Sequence, residues 1–320
     1  MLELKFAHMG GNPRIEPLLS GEVKVPDVQI VDDTENHGDL FAWLLDHGDE
    51  RDVFEFSISH YMTTFEKHEA RRDWTAIPMF LQKATPFLDT RVNVNSDINS
   101  LADLRGKKVG MGDYAMTAAV WLRVALNDLA HVPPQDVHWF AGREAHRSHD
   151  WQLGIQEMIK PGLNVTWLND DTALDRMVAS GEIDAAFGIK EDPQNRRLFP
   201  NGGADLFADF YKSYGYLPVN HCILIRRALA EQNPWLPKAL YDGFEASKQA
   251  AYQRDPAARL PLPKEDGPSQ MALYGEDPYP SGLKANRPML EALARQSHTE
   301  GLTQGLVNVE EMFHESVRNT

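Results

Sequence analysis

A two-lobed α/β fold is predicted for this chain from three observations. Strand-like and helix-like hydrophobic patterns alternate from the first residues onward. The rhythm restarts as a second unit near residue 101 and changes again near residue 212. The length of 320 residues exceeds one compact domain and suits two of roughly 150 residues each. The expected division is a discontinuous lobe of residues 1–100 and 212–320, interrupted by a second lobe of residues 101–211.

Taken in order, LELKFAHM and VPDVQIV read as strands, and DLFAWLLDH carries Leu40, Phe41, Leu44 and Leu45 at helical spacing. DVFEFS, TAIPMFL and TRVNVNS return to extended structure. In the second unit LADL is a helical turn, KKVGMG a strand, and MTAAVWLRVAL a helix with Thr117, Trp121, Val124 and Ala125 on one face. The start of that helix reads either as an ordinary capped terminus with Asp113 as its cap or as a ligand contact. NVTWL and EIDAAFG are strands flanking TALDRMVASG, a helix that ends at Gly181. Residues 130–163 are less regular, and REAHRSHD reads as a polar surface loop. NHCILIRR is a strand, followed by a helix opened by Asn233 and Pro234. DPAARLPLPKEDGP reads as a loop; ANRPMLEALARQ and NVEEMFHESV read as closing helices.

An α/β unit that is interrupted and then resumed places a ligand cleft between lobes, at the carboxyl ends of strands. EFSISHYM and VGMGDYAMT would open into it. In the first, Phe54, Phe56 and Ile58 alternate with Glu55, Ser57 and Ser59, and His60 and Tyr61 follow. This is a strand tip that either caps a helix or presents polar groups to a ligand. In the second, a strand, a Gly-containing turn and a helix start offer backbone N–H groups to an anion, with Tyr114 and Thr117 as hydroxyl donors. The Gly110-Met111-Gly112 spacing is not a dinucleotide fingerprint.

A net charge of −15 argues against a nucleic-acid or anionic-membrane partner, since phosphate surfaces need concentrated Lys and Arg. The only cysteine, Cys222, excludes an intrachain disulfide and reads as a buried apolar thiol. No segment approaches the ~18 apolar residues of a membrane span, and no secretory signal pattern opens the chain. The expectation is a cytoplasmic protein. No HExxH, HxH or GxSxG occurs, so neither a metal site nor a serine nucleophile is expected. The remaining chemistry lies with histidine. His60 and His221 both stand at strand ends and could supply a proton donor and acceptor near neutral pH. A lone histidine beside a strand is usually a structural imidazole, and what raises His221 is its position at the expected crossover between lobes. Glu182 and Asp184 fit a cleft contact or a salt bridge, and Asp32, Asp33 and Glu35 a solvated turn with a helix cap.

The segments DVFEFSISHYM, AIPMFL, DLRGKKVGMGDYAMTAAVWLR, VHWFAG, GEIDAAF, RLFPN, YLPVNHCILIRR, NPWLPKALYDGF and NRPMLEAL occur in order over most of the chain. Their order and spacing resemble the 4,5-dihydroxyphthalate decarboxylase family, an offshoot of the type 2 periplasmic-binding-protein-like fold. The resemblance implies non-oxidative loss of CO2 from a dihydroxylated aromatic carboxylate, no organic cofactor, and a homo-oligomer. For such a reaction we assign His60 and His221 to proton transfer, without choosing acid or base, and the Thr117 helix start with Tyr114 to holding a carboxylate. Ser57, Ser59 and Tyr61 would contact ring hydroxyls, and Arg287 is either a candidate cation or a surface helix residue. One departure stands out. Where the family carries an FRHS-like stretch after IPxF, this chain reads QKATPFLDTRVNVN, with Arg91 at another position.

Two rivals from other classes remain. A solute-binding protein would use the same fold to capture a small carboxylate without catalysis. A ligand-sensing effector domain lacks a helix-turn-helix pattern before the first strand.

Overall fold

The computed structural model describes residues 1–33, 50–67, 73–84, 87, 89–262 and 266–320. The helix expected over DLFAWLLDH, together with Glu35, lies outside the described residues. Two compact units are present. The first comprises Met1–Lys83, Val219–Ala294 and Val307–Thr320; the second comprises Ala84–Pro218 and Arg295–Leu306. TRVNVNS therefore joins the second unit, where its strand pairs, and the division falls at Lys83 and Val219.

Unit 1 is built on β1 (Leu2–Ala7), β2 (Val28–Asp33), β3 (Val53–Ser57), β4 (Trp74–Phe80) and β11 (His221–Arg226), in the order β2-β1-β3-β11-β4. β1, β2 and β3 are parallel, and β11 runs antiparallel to both β3 and β4. β3 and β4 are buried along their whole length, as expected of strands covered on both faces. One face carries Leu4, Phe6, Val53, Ile223 and Ile225, packed with Leu240 and Phe244 of the helix Leu236–Arg254. That helix starts after Trp235 with Pro237 in its first turn, whereas Asn233 closes the preceding helix Arg227–Gln232. The expected Asn-Pro start is displaced because Pro234 stops one helix before Pro237 opens the next.

Unit 2 is built on β5 (Thr90–Asn93), β6 (Lys108–Met111), β7 (His138–Gly142), β8 (Asn164–Leu168), β9 (Ala185–Phe187) and β10 (Asn195–Arg197), in the order β10-β5-β9-β6-β7-β8. β7 lies within the stretch that reads as irregular. The glycines after β6 serve packing. A Cβ at Gly110 would lie 2.6 Å from Leu174 of the helix Ala173–Ser180, and one at Gly112 would lie 2.7 Å from Arg143. REAHRSHD is a surface loop only in part, because Ser148, His149 and Asp150 are buried and the helix His149–Leu153 begins there. The closing segment NVEEMFHESV forms two short 3-10 turns, Val309–Met312 and Glu315–Val317, instead of a helix. Cys222 is buried, as expected of an apolar thiol, and burial pushes its pKa up.

Inside unit 2 the helix Thr117–Ala130 buries Arg123, whose Nε and Nη2 donate to both oxygens of Glu300 at 2.7 to 2.9 Å. Both side chains are essentially inaccessible, at 0% and 1%. Removing one member would strand the other charge, which costs about 3–5 kcal/mol. Arg123→Met is therefore expected to destabilise the protein by about that amount in urea unfolding. The double variant Arg123→Met/Glu300→Leu should recover a substantial part of the loss.

Candidate functional site

The parallel strands of unit 1 end on one edge of its sheet, and β11 begins there. His221 stands opposite Ser57, and Ile223 opposite Glu55. Residues two apart on a strand share a face, so Glu55, Ser57 and His221 all lie on one face, with Glu55 diagonal to His221. Diagonal neighbours are within reach of long side chains. His221 Nδ1 meets Glu55 Oε1 at 2.8 Å, with both groups buried. Glu55 Oε2 accepts the Met9 N–H at 3.1 Å. Burial alone would raise the Glu55 carboxyl, but the hydrogen bond and charge of His221 and the Met9 amide together hold it below its usual value. Glu55 is thus a carboxylate inside the protein, compensated by an imidazole.

The end of β1 extends this edge. His8 Nε2 lies 3.1 Å from Asp32 Oδ1, and Nδ1 accepts the Gly10 N–H at 3.0 Å. A ring nitrogen that accepts an amide N–H carries a lone pair, so the proton of this His8 is on Nε2, facing Asp32. Asp32 therefore serves more than a solvated turn, and Asp33 pairs with Arg51.

The helix Ile58–Lys67 follows β3 without a break. It places His60 in its first turn, one turn beyond the strand residue that faces His221. Ser57, Ser59 and His60 are all at most 2% exposed. Tyr61 departs from the expected ligand contact. Its hydroxyl lies 3.1 Å from the Trp74 carbonyl and 3.2 Å from that of Met312, which ties the helix to neighbouring backbone. Arg287 is a surface helix residue, with Nη2 2.9 Å from Glu310 Oε2.

In unit 2 the helix starts at Thr117 with Met116 as its cap, and Asp113 is not the cap. Asp113 instead bonds Arg143 at 2.6 Å and accepts from Ser148. The amides of Tyr114 and Ala115, which lead into the helix, donate to the Asp150 carboxyl group. A carboxyl group of the protein itself thus occupies the amides expected to meet an external anion. Burial, with the neighbouring Asp113 charge, raises the Asp150 pKa well above the ordinary range. Tyr114 also departs from the expected role. Its ring lies 3.8 Å from the Arg123 guanidinium carbon and packs edge-on against Trp139 and Trp167, fully buried. Thr117 is buried at the first helical position. Asp184 is used structurally, accepting the Lys108 N–H at 2.8 Å, while Glu182 is exposed.

The residue that sequence reasoning missed is Glu55. Its signal was present: a carboxylate in a strand flanked by apolar residues is costly unless paired. The pairing could not be read, because His221 lies 166 residues away. Among the described residues no group of three or more His, Cys, Asp or Glu side chains is placed to hold a metal ion. No described helix is long and apolar enough to cross a membrane.

Comparison with known proteins adds a second line of observation. No family model matches the chain. A 4,5-dihydroxyphthalate decarboxylase from Comamonas testosteroni is 28% identical over 327 aligned positions, covering 98% of this chain and 96% of that protein. A protein of the same name from Pseudomonas putida is 28% identical over 226 positions, covering 67% of this chain and 83% of that one. Among solved structures, the periplasmic aliphatic sulphonate binding protein SsuA from Escherichia coli superposes with a TM-score of 0.55 at 14% identity, each chain covered in full. The desulfurization enzyme DszB superposes with a TM-score of 0.51 at 13% identity, covering 100% of this chain and 98% of that one. The chain is a relative, over nearly its whole length, of the 4,5-dihydroxyphthalate decarboxylases, and it has a type 2 periplasmic-binding-protein-like fold.

Proposed function

We propose that this protein is a carboxy-lyase that removes CO2, without oxidation, from a dihydroxylated aromatic carboxylate such as 4,5-dihydroxyphthalate. The observation that carries the reading is the buried Glu55–His221 pair at the carboxyl edge of the unit 1 sheet. The name shared by both relatives supports it.

Direct loss of CO2 would leave an aryl carbanion. A ring hydroxyl ortho or para to the carboxylate avoids this. Its deprotonation pushes electron density into the ring, the ipso carbon takes a proton, and the C–C bond then breaks. The bonding pair returns to the ring and restores aromaticity, and the phenolate regains a proton. The net change is one proton in and one CO2 out. Glu55 holds His221 Nδ1–H, so the protonated ring gives its Nε2 proton to the ipso carbon and is left as a neutral imidazole still hydrogen-bonded to Glu55. His60 is the second proton-transfer group, taking the phenolic proton. Ser57 and Ser59 contact the ring hydroxyls in this scheme, and the chemistry calls on no organic cofactor. A small aromatic acid as sole partner, a cytoplasmic location and a homo-oligomeric state belong to the same proposal.

The second reading is a binding protein that captures a small carboxylate, favoured by the likeness in fold to SsuA. CO2 evolution from purified, chelator-treated protein offered 4,5-dihydroxyphthalate and related dihydroxybenzoates decides between the two. Binding without CO2 release would establish the binding protein.

Replacing His221 by Ala is expected to lower kcat by about 10²–10⁴, the usual contribution of a positioned proton-transfer group. His60→Ala should lower it in the same range. Near-normal turnover in both variants would end the assignment. Glu55→Gln removes the orienting charge and should lower kcat more than it raises KM. It should also change acid stability. A carboxyl with a depressed folded pKa contributes stability that is complete above its unfolded pKa of about 4.3, and loses it as pH falls through the folded value. Thermal unfolding between about pH 5 and pH 3 should therefore be less pH-dependent in Glu55→Gln than in the wild type.

A further inference from the structure

Three cations of unit 1 lie together without a carboxylate ion pair among the described residues. Arg14 is 2% exposed and hydrogen-bonds the Tyr252 side chain. Its guanidinium carbon is 5.7 Å from the Tyr279 ring centre, and Lys83 Nζ is 5.4 Å from the same ring. Lys83 Nζ donates to the carbonyls of Ala258 and Leu260, at 2.8 and 2.5 Å. Between those two carbonyls the chain carries Arg259, whose guanidinium lies 5.0 Å from the Tyr252 ring centre. Among the described residues two buried polar atoms here have no hydrogen-bond partner: Arg259 Nε and the hydroxyl of Tyr279, a residue 3% exposed. Among the described residues the nearby acids are committed elsewhere. Asp277 pairs with Lys248 at 2.8 Å and accepts from Tyr252, and Asp255 caps the turn Pro256–Arg259.

Uncompensated buried charge is expensive, and an orphaned buried donor adds to the cost. In a chain of net charge −15, a cluster of this kind is not a by-product of a basic surface. The cluster also borders the edge that carries Glu55 and His221. The Asn12 amide donates to the Leu81 carbonyl at 2.8 Å, and the Asn220 N–H donates to the Gln82 carbonyl at 2.7 Å. Lys83 bridges to Val219, two positions before His221.

We propose that Arg14, Lys83 and Arg259, with the Tyr279 hydroxyl, form a subsite that binds a carboxylate of an aromatic diacid. The inference rests on the proposed decarboxylation and names what holds the carboxylate that is not lost. Guanidinium forks match the planar carboxylate, and the ammonium adds a point charge. Tyr252 and Tyr279 add aromatic surface beside the charges. Burial, reinforced by the Arg14 charge and opposed by Asp255, pulls the Lys83 pKa down to about 7, and an arriving anion would restore its charged form.

The test is calorimetric titration of the full chain with phthalate, benzoate and sulfate, on wild type, Lys83→Met and Arg259→Gln. Folding is checked by circular dichroism, and the exposed Arg254→Gln serves as control. Each cluster variant is expected to weaken phthalate binding by about tenfold or more, the range for a lost charge-assisted hydrogen bond. Benzoate should be affected far less, and KM for 4,5-dihydroxyphthalate should rise with kcat little changed. Folded variants that bind phthalate like the wild type overturn the subsite. So does a wild type that binds no phthalate, or one that binds sulfate as tightly as phthalate. Phthalate binding that depends on the cluster, without CO2 release from any dihydroxylated acid, supports the subsite and overturns the decarboxylase reading. Turnover with KM unchanged in the variants does the reverse.

Discussion

A carboxylate in the middle of a sheet sets the terms for unit 1. Glu55 sits on β3, between β1 and β11, where side chains on both faces are removed from water. An ionised group there is tolerable only if something supplies the solvation that water no longer can. Two polar contacts do so, an imidazole across one strand boundary and an amide across the other. The first requires β11 to run antiparallel in a register that sets His221 against Ser57. A one-residue slip would turn His221 to the opposite face and leave the charge unpaired. Strand direction, register and the ionisation of Glu55 are therefore one constraint.

Unit 2 answers a comparable problem differently. Its amide-rich turn after β6 is filled from within by Asp150, whose proton affinity is raised by burial and by Asp113. Deeper in the same unit Arg123 and Glu300 neutralise one another, with Tyr114 stacked on the guanidinium. Polar groups that look available when read along the chain are here consumed by internal pairing. The contrast with Arg14 and Lys83 in unit 1, which have no carboxylate ion pair among the described residues, gives those residues their interest.

Much of the architecture was legible because it is local. The alternation in DVFEFS, the helical face of MTAAVWLRVAL and the glycine after TALDRMVAS each determine a strand, a helix or a stop within a few residues. His221 at the start of its strand was legible for the same reason. What failed depended on distant partners. Asp113 reads as a cap until Arg143 and Ser148 claim it, and Tyr61 reads as a ligand contact until two backbone carbonyls take its hydroxyl. Glu55 was passed over as one polar position in an alternating strand, since the residue that gives it meaning is far off in the chain.

The late arrival of β11 has a consequence for biosynthesis. β1, β2 and β3 leave the ribosome long before His221 is made, and the whole central segment of unit 2 intervenes. Until that point a nascent sheet would hold Glu55 without its imidazole and β3 without one neighbour. The first sheet is thus expected to mature only after translation has passed β11, with its exposed strand edge in the care of chaperones until then.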